Sequence, residues 1–437
     1  MDVLSFFYKN ALVPSHDLET VGKKLRYTIN ELSQIDQRRG YDNPYAVINV
    51  PSDKQIVDDV MAIWDQKKKY NPSLMIVVGI GGSNLGTQAI YEALYGKDGN
   101  PDFPLYFADT VDSDYIATLL RRAEDALKSS KKILITVISK SGNTTETIAN
   151  FECFLALLQK YYPKNYSEYV VTITDKNSAL WHRAQQQKFA CLAIPEHIGG
   201  RYSVLSAVGL FPLIYCGIDI DALREGAQSI IKQCITEDAT NNYAAISAAI
   251  IVYHYNEGIC INNLFMFSVA LESLGKWYRQ LMGESIGKEK DIHGKKVNVG
   301  IAPTVAIGTT DLHSVGQLYF GGPNNTLTTF VSVKKNNYNI MIPEMPLYEQ
   351  LVANIQNKPL ASVMSAIFEG VQIAYEKNKR PFMTVIIPEK NAYYIGQFLQ
   401  WKMIEMIYIG ALLEVNPFDQ PEVELYKTQT RKMLAHE

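Results

Sequence analysis

Two consecutive segments of this sequence each combine a short apolar run, a loop of small residues and an amphipathic helix. In the first, residues 74–78 form the apolar run, residues 79–86 form a glycine-rich loop, and residues 85–94 carry apolar side chains at helical spacing. In the second, a hydroxyl-rich loop and a helix over residues 144–158 follow the β-branched run at residues 133–138. Successive strand–loop–helix units build parallel sheets with crossover helices, so the sequence predicts an α/β fold.

Apolar runs elsewhere in the chain extend this pattern beyond the first two units. A predominantly helical region is predicted over residues 221–282, and β-type runs recur after it. We expect the further strands at residues 105–108, 169–174, 297–301, 329–333 and 383–387. Apolar residues at helical spacing predict a last long helix over residues 392–413, which Pro417 separates from a shorter tail.

The length of the chain predicts more than one domain. At 437 residues, it exceeds what a single hydrophobic core usually organises. The predicted division has an N-terminal helical extension over residues 1–39 and a first domain over residues 40–220. The second domain, with a C-terminal tail, covers residues 221–437.

The composition argues against several classes of function. The formal net charge of -3, with both signs mixed along the chain, offers no basic face for nucleic acid. No apolar stretch is long enough to cross a bilayer, and the first residues do not resemble a secretory signal. The five cysteines are scattered and form no C-x-x-C pair, which is typical of reduced thiols in the core of a cytoplasmic protein.

The glycine-rich loop follows a predicted strand and opens a helix, where backbone N–H groups and the helix dipole bind anions. Gly82 lets the backbone approach a ligand closely, and Ser83 adds a hydrogen-bond donor. A Walker A loop would need lysine where Thr87 stands, and a dinucleotide fingerprint would need glycine where Asn84 stands. Asp109, at the end of the next predicted strand, keeps a dinucleotide site open as an alternative.

The hydroxyl-rich loop brings four hydroxyl groups and one ammonium group to the point where a strand ends and a helix begins. These side chains belong to Ser139, Lys140, Ser141, Thr144 and Thr145. Hydroxyl donors at a helix N-terminus, with lysine as a point charge, suit the dianion of a phosphate monoester. Asn143 and Glu146 have the spacing of a capping box. Two such loops in neighbouring parallel units predict that a phosphorylated small molecule, such as a sugar phosphate, binds at one edge of the sheet.

The paired loops resemble those of sugar-isomerase (SIS) domains, and three further segments resemble the phosphoglucose isomerase family. Residues 196–203 and 416–427 are similar to the two signatures of that family, and residues 280–288 to the segment with its catalytic base. The resemblance extends over most of the chain. It implies two SIS-type three-layer αβα sandwich domains with mainly parallel sheets and a C-terminal helical tail.

The resemblance implies a metal-independent isomerase of glycolysis and gluconeogenesis that interconverts glucose 6-phosphate and fructose 6-phosphate without a cofactor. Glu284 takes the position of the base that moves a proton between C2 and C1 through a cis-enediol. Gln280 lies four residues earlier, on the same helix face. Arg201 would stabilise the negative charge that develops on oxygen. Gly200 and Gln420 would contact the substrate together with the two loops.

Ring opening of the cyclic sugar needs a second pair of groups, for which the resemblance implies His313 and Lys427. It also implies a homodimer in which the neighbouring subunit supplies the histidine. Glu422 departs from the family pattern, which has glycine between Pro421 and Val423. If this position requires a positive φ, the glutamate would be strained and would alter the turn that presents Lys427.

Two other functions remain open from the sequence. A sensor that binds a sugar phosphate without converting it would lack the base, whereas Glu284, Arg201 and His313 are all present. An isomerase of mannose or amino-sugar phosphates, or one of dual specificity, would carry the same loops. The choice between these substrates depends on the pocket around Gly200 and Gln280.

Overall fold

The computed structural model describes residues 3–238 and 241–435 of the chain. A short strand, β1 (Ser5–Phe7), and a long helix, α1 (Ser15–Arg38), come first. The apolar residues that α1 buries recur every three or four positions, so one helix face packs on the core. They are Leu25, Ile29, Leu32 and Ile35.

The first half of the chain then builds a parallel five-stranded sheet. Its elements are α2 (Lys54–Lys68), β2 (Pro72–Val78), α3 (Leu85–Tyr95), β3 (Leu105–Ala108), α4 (Ser113–Lys128), β4 (Lys132–Ile138), α5 (Thr145–Tyr161), β5 (Val170–Thr174), α6 (Ala179–Gln186) and β6 (Ala190–Ala193). The strand order is β3-β2-β4-β5-β6. The connections from β2 and β4 therefore leave in opposite directions, which opens a crevice between the loops that follow these two adjacent strands.

Both faces of this sheet are buried, as strand β2 illustrates. Met75 and Val77 point into one apolar cluster, whereas Ile76 and Val78 point into another. A strand that is buried on both faces reads as a continuous apolar run, which is why this segment was predictable.

The second half builds a second sheet, after three helices that pack between the halves. The elements are α7 (Ala207–Tyr215), α8 (Ile220–Cys234), α9 (Tyr243–Asn256), β7 (Ile261–Met266), α10 (Glu272–Ile286), β8 (Lys288–Lys290), β9 (Lys296–Val299), β10 (Ala302–Ile307), α11 (Gly316–Gly321), β11 (Thr326–Lys335), α12 (Pro346–Glu349), α13 (Leu360–Lys377), β12 (Phe382–Glu389), α14 (Ala392–Leu412) and α15 (Glu424–Leu434). The strand order is β1-β12-β11-β7-β10, and only β1 runs antiparallel. The N-terminal segment thus supplies an edge strand to the second sheet.

One apolar cluster runs through both halves of the molecule. Helix α14 packs against α8 so closely that their backbones touch: a Cβ on Gly396 would lie 2.0 Å from the Leu223 carbonyl oxygen. Helix α10 packs against α3 of the first half. This contact carries residues of the second half to the carboxyl edge of the first sheet.

The predicted α/β class, with mainly parallel sheets and a helical C-terminal tail, is confirmed, whereas the domain division stays a prediction. Helices α8, α9 and α10 confirm that residues 221–282 are predominantly helical, and they are interrupted by one strand that was not predicted, β7. Its residues Asn262 and Asn263 weaken the apolar pattern, but Asn262 donates to the Tyr278 hydroxyl and Asn263 accepts from Thr304 at 2.9 Å. Such tertiary hydrogen bonds allow polar side chains in a buried strand.

The predicted strand at residues 297–301 also needs correction. Residues 296–299 form β9, which pairs with β8 in a small antiparallel ribbon, and the strand of the second sheet begins only at Ala302. The expectation that all five cysteines are core thiols was wrong, since Cys153 and Cys260 are exposed. No helix in the described ranges is both long enough and apolar enough to cross a membrane.

Candidate active site

The glycine-rich loop is held by contacts that leave no room for side chains. Gly81 has φ +61°, and a Cβ there would lie 2.7 Å from the Gln280 Nε2 atom. A Cβ on Gly82 would lie 2.2 Å from the carbonyl carbon of Gly200. The loop therefore packs directly, backbone against backbone, on the segment around Gly200 and Arg201.

Asp109, the residue that kept a dinucleotide site open, has a structural partner. Its carboxylate accepts a hydrogen bond of 2.9 Å from the buried Asn84 side chain. Burial raises the pKa of Asp109. The Asp109 carboxylate therefore helps to hold the glycine-rich loop in place through Asn84.

The hydroxyl-rich loop is organised by its first residue. The Ser139 hydroxyl accepts from the Gly142 N–H and lies 3.2 Å from the Thr144 hydroxyl. Ser139 is buried and does not line the cavity described below, whereas Ser141 and Thr144 do. Thr144 is the N-cap residue of α5, so the predicted capping box with Asn143 was wrong.

Lys140 connects this loop to the first signature segment. Its ammonium group donates to the carbonyl oxygens of Glu196 and Ile198, at 2.7 and 2.9 Å. Burial lowers its pKa. Two of the three ammonium protons are therefore bound by backbone, and Lys140 holds two walls of the site together.

Arg201 is the buried centre of the site. Its guanidinium donates to the Glu284 carboxylate at 3.3 Å, to the Gln420 side-chain oxygen at 2.7 Å and to the Ser285 hydroxyl at 2.8 Å. It also donates to the Pro417 carbonyl oxygen at 2.7 Å. A buried charge needs this many partners to offset its desolvation, and the partners come from α10 and the second signature.

Glu284 lies on α10 with Gln280 one turn before it. The Gln280 amide donates to one carboxylate oxygen of Glu284 at 3.2 Å, and Arg201 donates to the other. The Glu284 side chain is 37% exposed, so it still opens to the cavity. The Gln280 side-chain oxygen is buried and lacks a hydrogen-bond partner among the described residues. A carboxylate held on both oxygens is well oriented to accept a proton from a bound molecule.

Lys288 fixes the second signature segment to helix α10. Its ammonium donates to the Glu284 carbonyl oxygen at 3.0 Å and to the Asp419 carboxylate at 2.9 Å. Burial lowers the pKa of Lys288. The lysine thus ties Gln420, the residue after Asp419, to the helix that carries Glu284.

Glu422 is not strained. It lies in a 3₁₀ turn, Pro421–Val423, and is not among the residues with positive φ. Its carboxylate accepts a hydrogen bond of 3.1 Å from the Glu289 N–H. The predicted strain at this position was wrong, because the turn that precedes α15 has ordinary backbone angles.

A cavity of about 950 Å³ collects these groups at the carboxyl edge of the first sheet. The predicted site residues that line it are Gly82, Ser83, Lys140, Ser141, Thr144, Gly200, Arg201, Gln280, Glu284, Gln420 and Lys427. Lys427 lies on α15 and forms a salt bridge of 2.7 Å with Glu424. A second cavity, of about 780 Å³, shares Phe418 with the first but is lined by neither loop.

His313 and the buried Ser139 are the two predicted site residues that do not line this cavity. His313 also lies away from the loops described above. It follows the 3₁₀ turn Thr310–Leu312 after strand β10, and its side chain is exposed. It is not among the residues that line the cavity.

Two groups of cavity-lining residues were missed by the sequence reasoning. Asp175, Asn177 and Ser178 follow β5, the next parallel strand, and their place after a strand was the signal that could have found them. Tyr426, Thr430 and Arg431 come from α15. No local pattern shows where a C-terminal helix packs.

The sequence profile of the phosphoglucose isomerase family matches residues 53–437. The chain belongs to the phosphoglucose isomerase family. Glucose-6-phosphate isomerase of Carboxydothermus hydrogenoformans is 34% identical over 383 residues, which are 85% of this chain and 80% of the relative. The enzyme of that name from Limosilactobacillus reuteri is 35% identical over 379 residues, or 84% of this chain and 81% of the relative.

Solved structures share the whole fold of this family member. A hypothetical protein from Thermus thermophilus superposes with a TM-score of 0.86 at 27% identity, covering 99% of this chain and 100% of that one. A glucose-6-phosphate isomerase from Chlamydia trachomatis has a TM-score of 0.83 at 20% identity, over 99% of this chain and 88% of that one.

Proposed function

We propose that this protein interconverts glucose 6-phosphate and fructose 6-phosphate. The observation that carries the proposal is the Glu284 carboxylate, held by Arg201 and Gln280 in the wall of a cavity that also contains both hydroxyl-bearing loops. Family membership and the names of the relatives support the same substrates.

The phosphate group binds between the two loops, at the crevice where the strand order reverses. Ser83, Ser141 and Thr144 donate their hydroxyl groups to it, and the N-terminus of α5 adds the favourable end of a helix dipole. Ser139 and Lys140 act mainly by holding the loop in shape, since their polar atoms already have protein partners. Gly82 has no side chain, so the ligand can approach the loop backbone closely.

The proton transfer uses Glu284 as the base. It removes the proton from C2 of the open-chain aldose, forms a cis-enediol, and returns the proton to C1 to give the ketose. Arg201 stabilises the oxygen on which negative charge gathers, without a metal ion or another cofactor. Gln280, Gln420 and the Gly200 backbone bind the sugar hydroxyl groups, and the free Gln280 side-chain oxygen supplies one acceptor.

Ring opening uses His313 and Lys427. Lys427 lines the cavity of its own chain, whereas His313 lies outside it, so a second copy of the chain completes the site with its histidine. The working form is therefore a homodimer. We place it in the cytoplasm, in glycolysis and gluconeogenesis, because its cysteines are free and unpaired in the described residues.

The experiment is a turnover assay with glucose 6-phosphate in which fructose 6-phosphate is measured, run in ²H₂O to follow deuterium at C1 of the product. A base that shuttles one proton predicts turnover with partial incorporation of deuterium. A competition assay with mannose 6-phosphate and glucosamine 6-phosphate ranks the substrates. Tight binding of glucose 6-phosphate without conversion would identify a sensor instead and reject the proposal.

A further inference from the structure

Helix α15 forms a wall of the cavity that carries a cation with no assigned role. Tyr426, Lys427, Thr430 and Arg431 all line the cavity. Their spacing of three and four residues places them on one helix face. Arg431 therefore faces the same space as Lys427, one turn further along the helix.

The other cations of the cavity are already bound by the protein. Lys140 donates to two carbonyl oxygens, and Arg201 to Glu284, Gln420 and the second signature. Lys427 is paired with Glu424 at 2.7 Å. The hydrogen bond and charge of Lys427 lower the pKa of Glu424, and the charge of Arg431 adds a smaller effect. Among the described residues, the Arg431 guanidinium has neither a salt bridge nor a hydrogen-bonded partner.

The hydroxyl-bearing loops alone leave the phosphate dianion without a free cation. Hydroxyl and backbone N–H groups are neutral donors, and most of the Lys140 ammonium is committed to carbonyl oxygens. A planar guanidinium can bind two phosphate oxygens at once, which adds both charge and geometry. Arg431 is the cation of the described cavity wall that is free to do so.

We propose that Arg431 is a further substrate-recognition residue whose guanidinium binds the phosphate group of the sugar phosphate. This inference rests on the proposed function, since it requires a phosphorylated substrate in this cavity. It assigns Arg431 to binding and not to proton transfer.

Lys432 provides a matched control for a purely structural role of Arg431. Arg431 and Lys432 both lie in the last turn of α15, where a cation complements the helix dipole. Both residues are exposed, but only Arg431 lines the cavity. A dipole effect is therefore common to both residues, whereas contact with the phosphate belongs to Arg431 alone.

The experiment compares wild type with Arg431→Gln, Arg431→Lys and Lys432→Gln. Calorimetry gives the Kd of glucitol 6-phosphate, a phosphorylated polyol that cannot isomerise, and steady-state assays give kcat and KM. We expect Arg431→Gln to raise the Kd and the KM about tenfold and to leave kcat within about twofold. Arg431→Lys should recover part of the affinity, and Lys432→Gln should match wild type.

Four results would overturn the inference. If Arg431→Gln and Lys432→Gln have equal Kd values, and the wild type binds and turns over, only the role of Arg431 is rejected and the proposed function stands. A fall in kcat at unchanged Kd also rejects it. A wild type that neither binds glucitol 6-phosphate nor isomerises glucose 6-phosphate rejects the proposed function as well. If Arg431→Gln does not fold, a Kd for Arg431→Lys equal to that of wild type decides against the proposal.

Discussion

Each of the two sheets of this protein has a hydroxyl-rich loop after one of its parallel strands. One of these loops is covered by other parts of the chain, and the other is exposed. The loop after β4 and the loop after β10 are both rich in hydroxyl groups and both follow a parallel strand. The first is covered by the signature segments and by α15, and it opens into the cavity. The second presents His313 to the outside.

The difference shows that a parallel sheet becomes a complete site only where other parts of the chain cover its carboxyl edge. Over the first sheet, Lys140 binds the 196–198 backbone, and Arg201 binds residues of α10 and of the second signature. His313, after strand β10 of the second sheet, is exposed, and in our proposal it serves the cavity of another copy.

The largest effect on turnover is expected at the carboxyl edge of the first sheet, which other parts of the chain cover. Glu284→Gln should lower kcat about 10³-fold or more with little change in KM, because an amide cannot accept the carbon-bound proton. Steady-state assays of glucose 6-phosphate isomerisation measure this. Glu369→Gln, an exposed position on α13, is the control and should behave as wild type. Turnover close to that of wild type would remove Glu284 from the role of base.

The next largest effect on turnover is expected at the carboxyl edge of the second sheet, where His313 is exposed. His313→Ala should lower turnover of cyclic glucose 6-phosphate about 10²-fold, and turnover of open-chain substrate much less, because only ring opening is impaired. Steady-state assays that compare glucose 6-phosphate with a sugar phosphate that cannot close a ring measure the difference.

Mixed dimers test whether the two edges meet across subunits. A hybrid of Glu284→Gln and His313→Ala chains has one site with both native residues if the histidine comes from the partner. Refolding equal amounts together should then restore about a quarter of the wild-type activity, since half of the dimers are hybrids with one good site. No recovery, with hybrids verified by native mass spectrometry, would place His313 and Glu284 in the same chain's site or in none.

Close packing of the covered edge predicts an effect on stability. Gly82→Ala should lower the free energy of unfolding by about 2–3 kcal/mol and raise KM, because its Cβ would meet the Gly200 backbone at 2.2 Å. Gly370, in the interior of α13 with no atom within 4 Å of such a Cβ, is the matched control. Gly370→Ala should stabilise by about 0.5–1 kcal/mol. Denaturant titrations that give both variants the same sign would argue against tight packing of the loop.

The elements that could be predicted are those whose burial produces a local run of apolar residues in the sequence. Strands β2 and β4 contain long apolar runs, residues 74–78 and 133–135, because both faces of each strand are covered. Strand β7 escaped prediction because Asn262 and Asn263 each form a side-chain hydrogen bond with a residue further along the chain, on α10 and β10. Hydrogen bonds of this kind are properties of the tertiary structure.

The same distinction applies to the site. Parallel-strand logic and the family resemblance predicted the loop residues and Glu284, which the structure brings together. The face of α15 that carries Arg431 could not be predicted, because it depends on where a helix from the end of the chain lies relative to the loops of a sheet from the first half. The backbone partners of Lys140 were hidden for the same reason.

The smallest effect concerns the segment that covers the first edge. Glu422→Gly should lower the free energy of unfolding by about 1 kcal/mol, since it removes the hydrogen bond from the Glu289 N–H and adds backbone freedom to the unfolded chain. Glu422→Gln keeps an acceptor oxygen and should lose less than half as much. Thermal unfolding at several denaturant concentrations resolves such differences. A Glu422→Gly variant more stable than wild type would mean that the glutamate is strained after all, and that the covering segment is held by Lys288 and Arg201 alone.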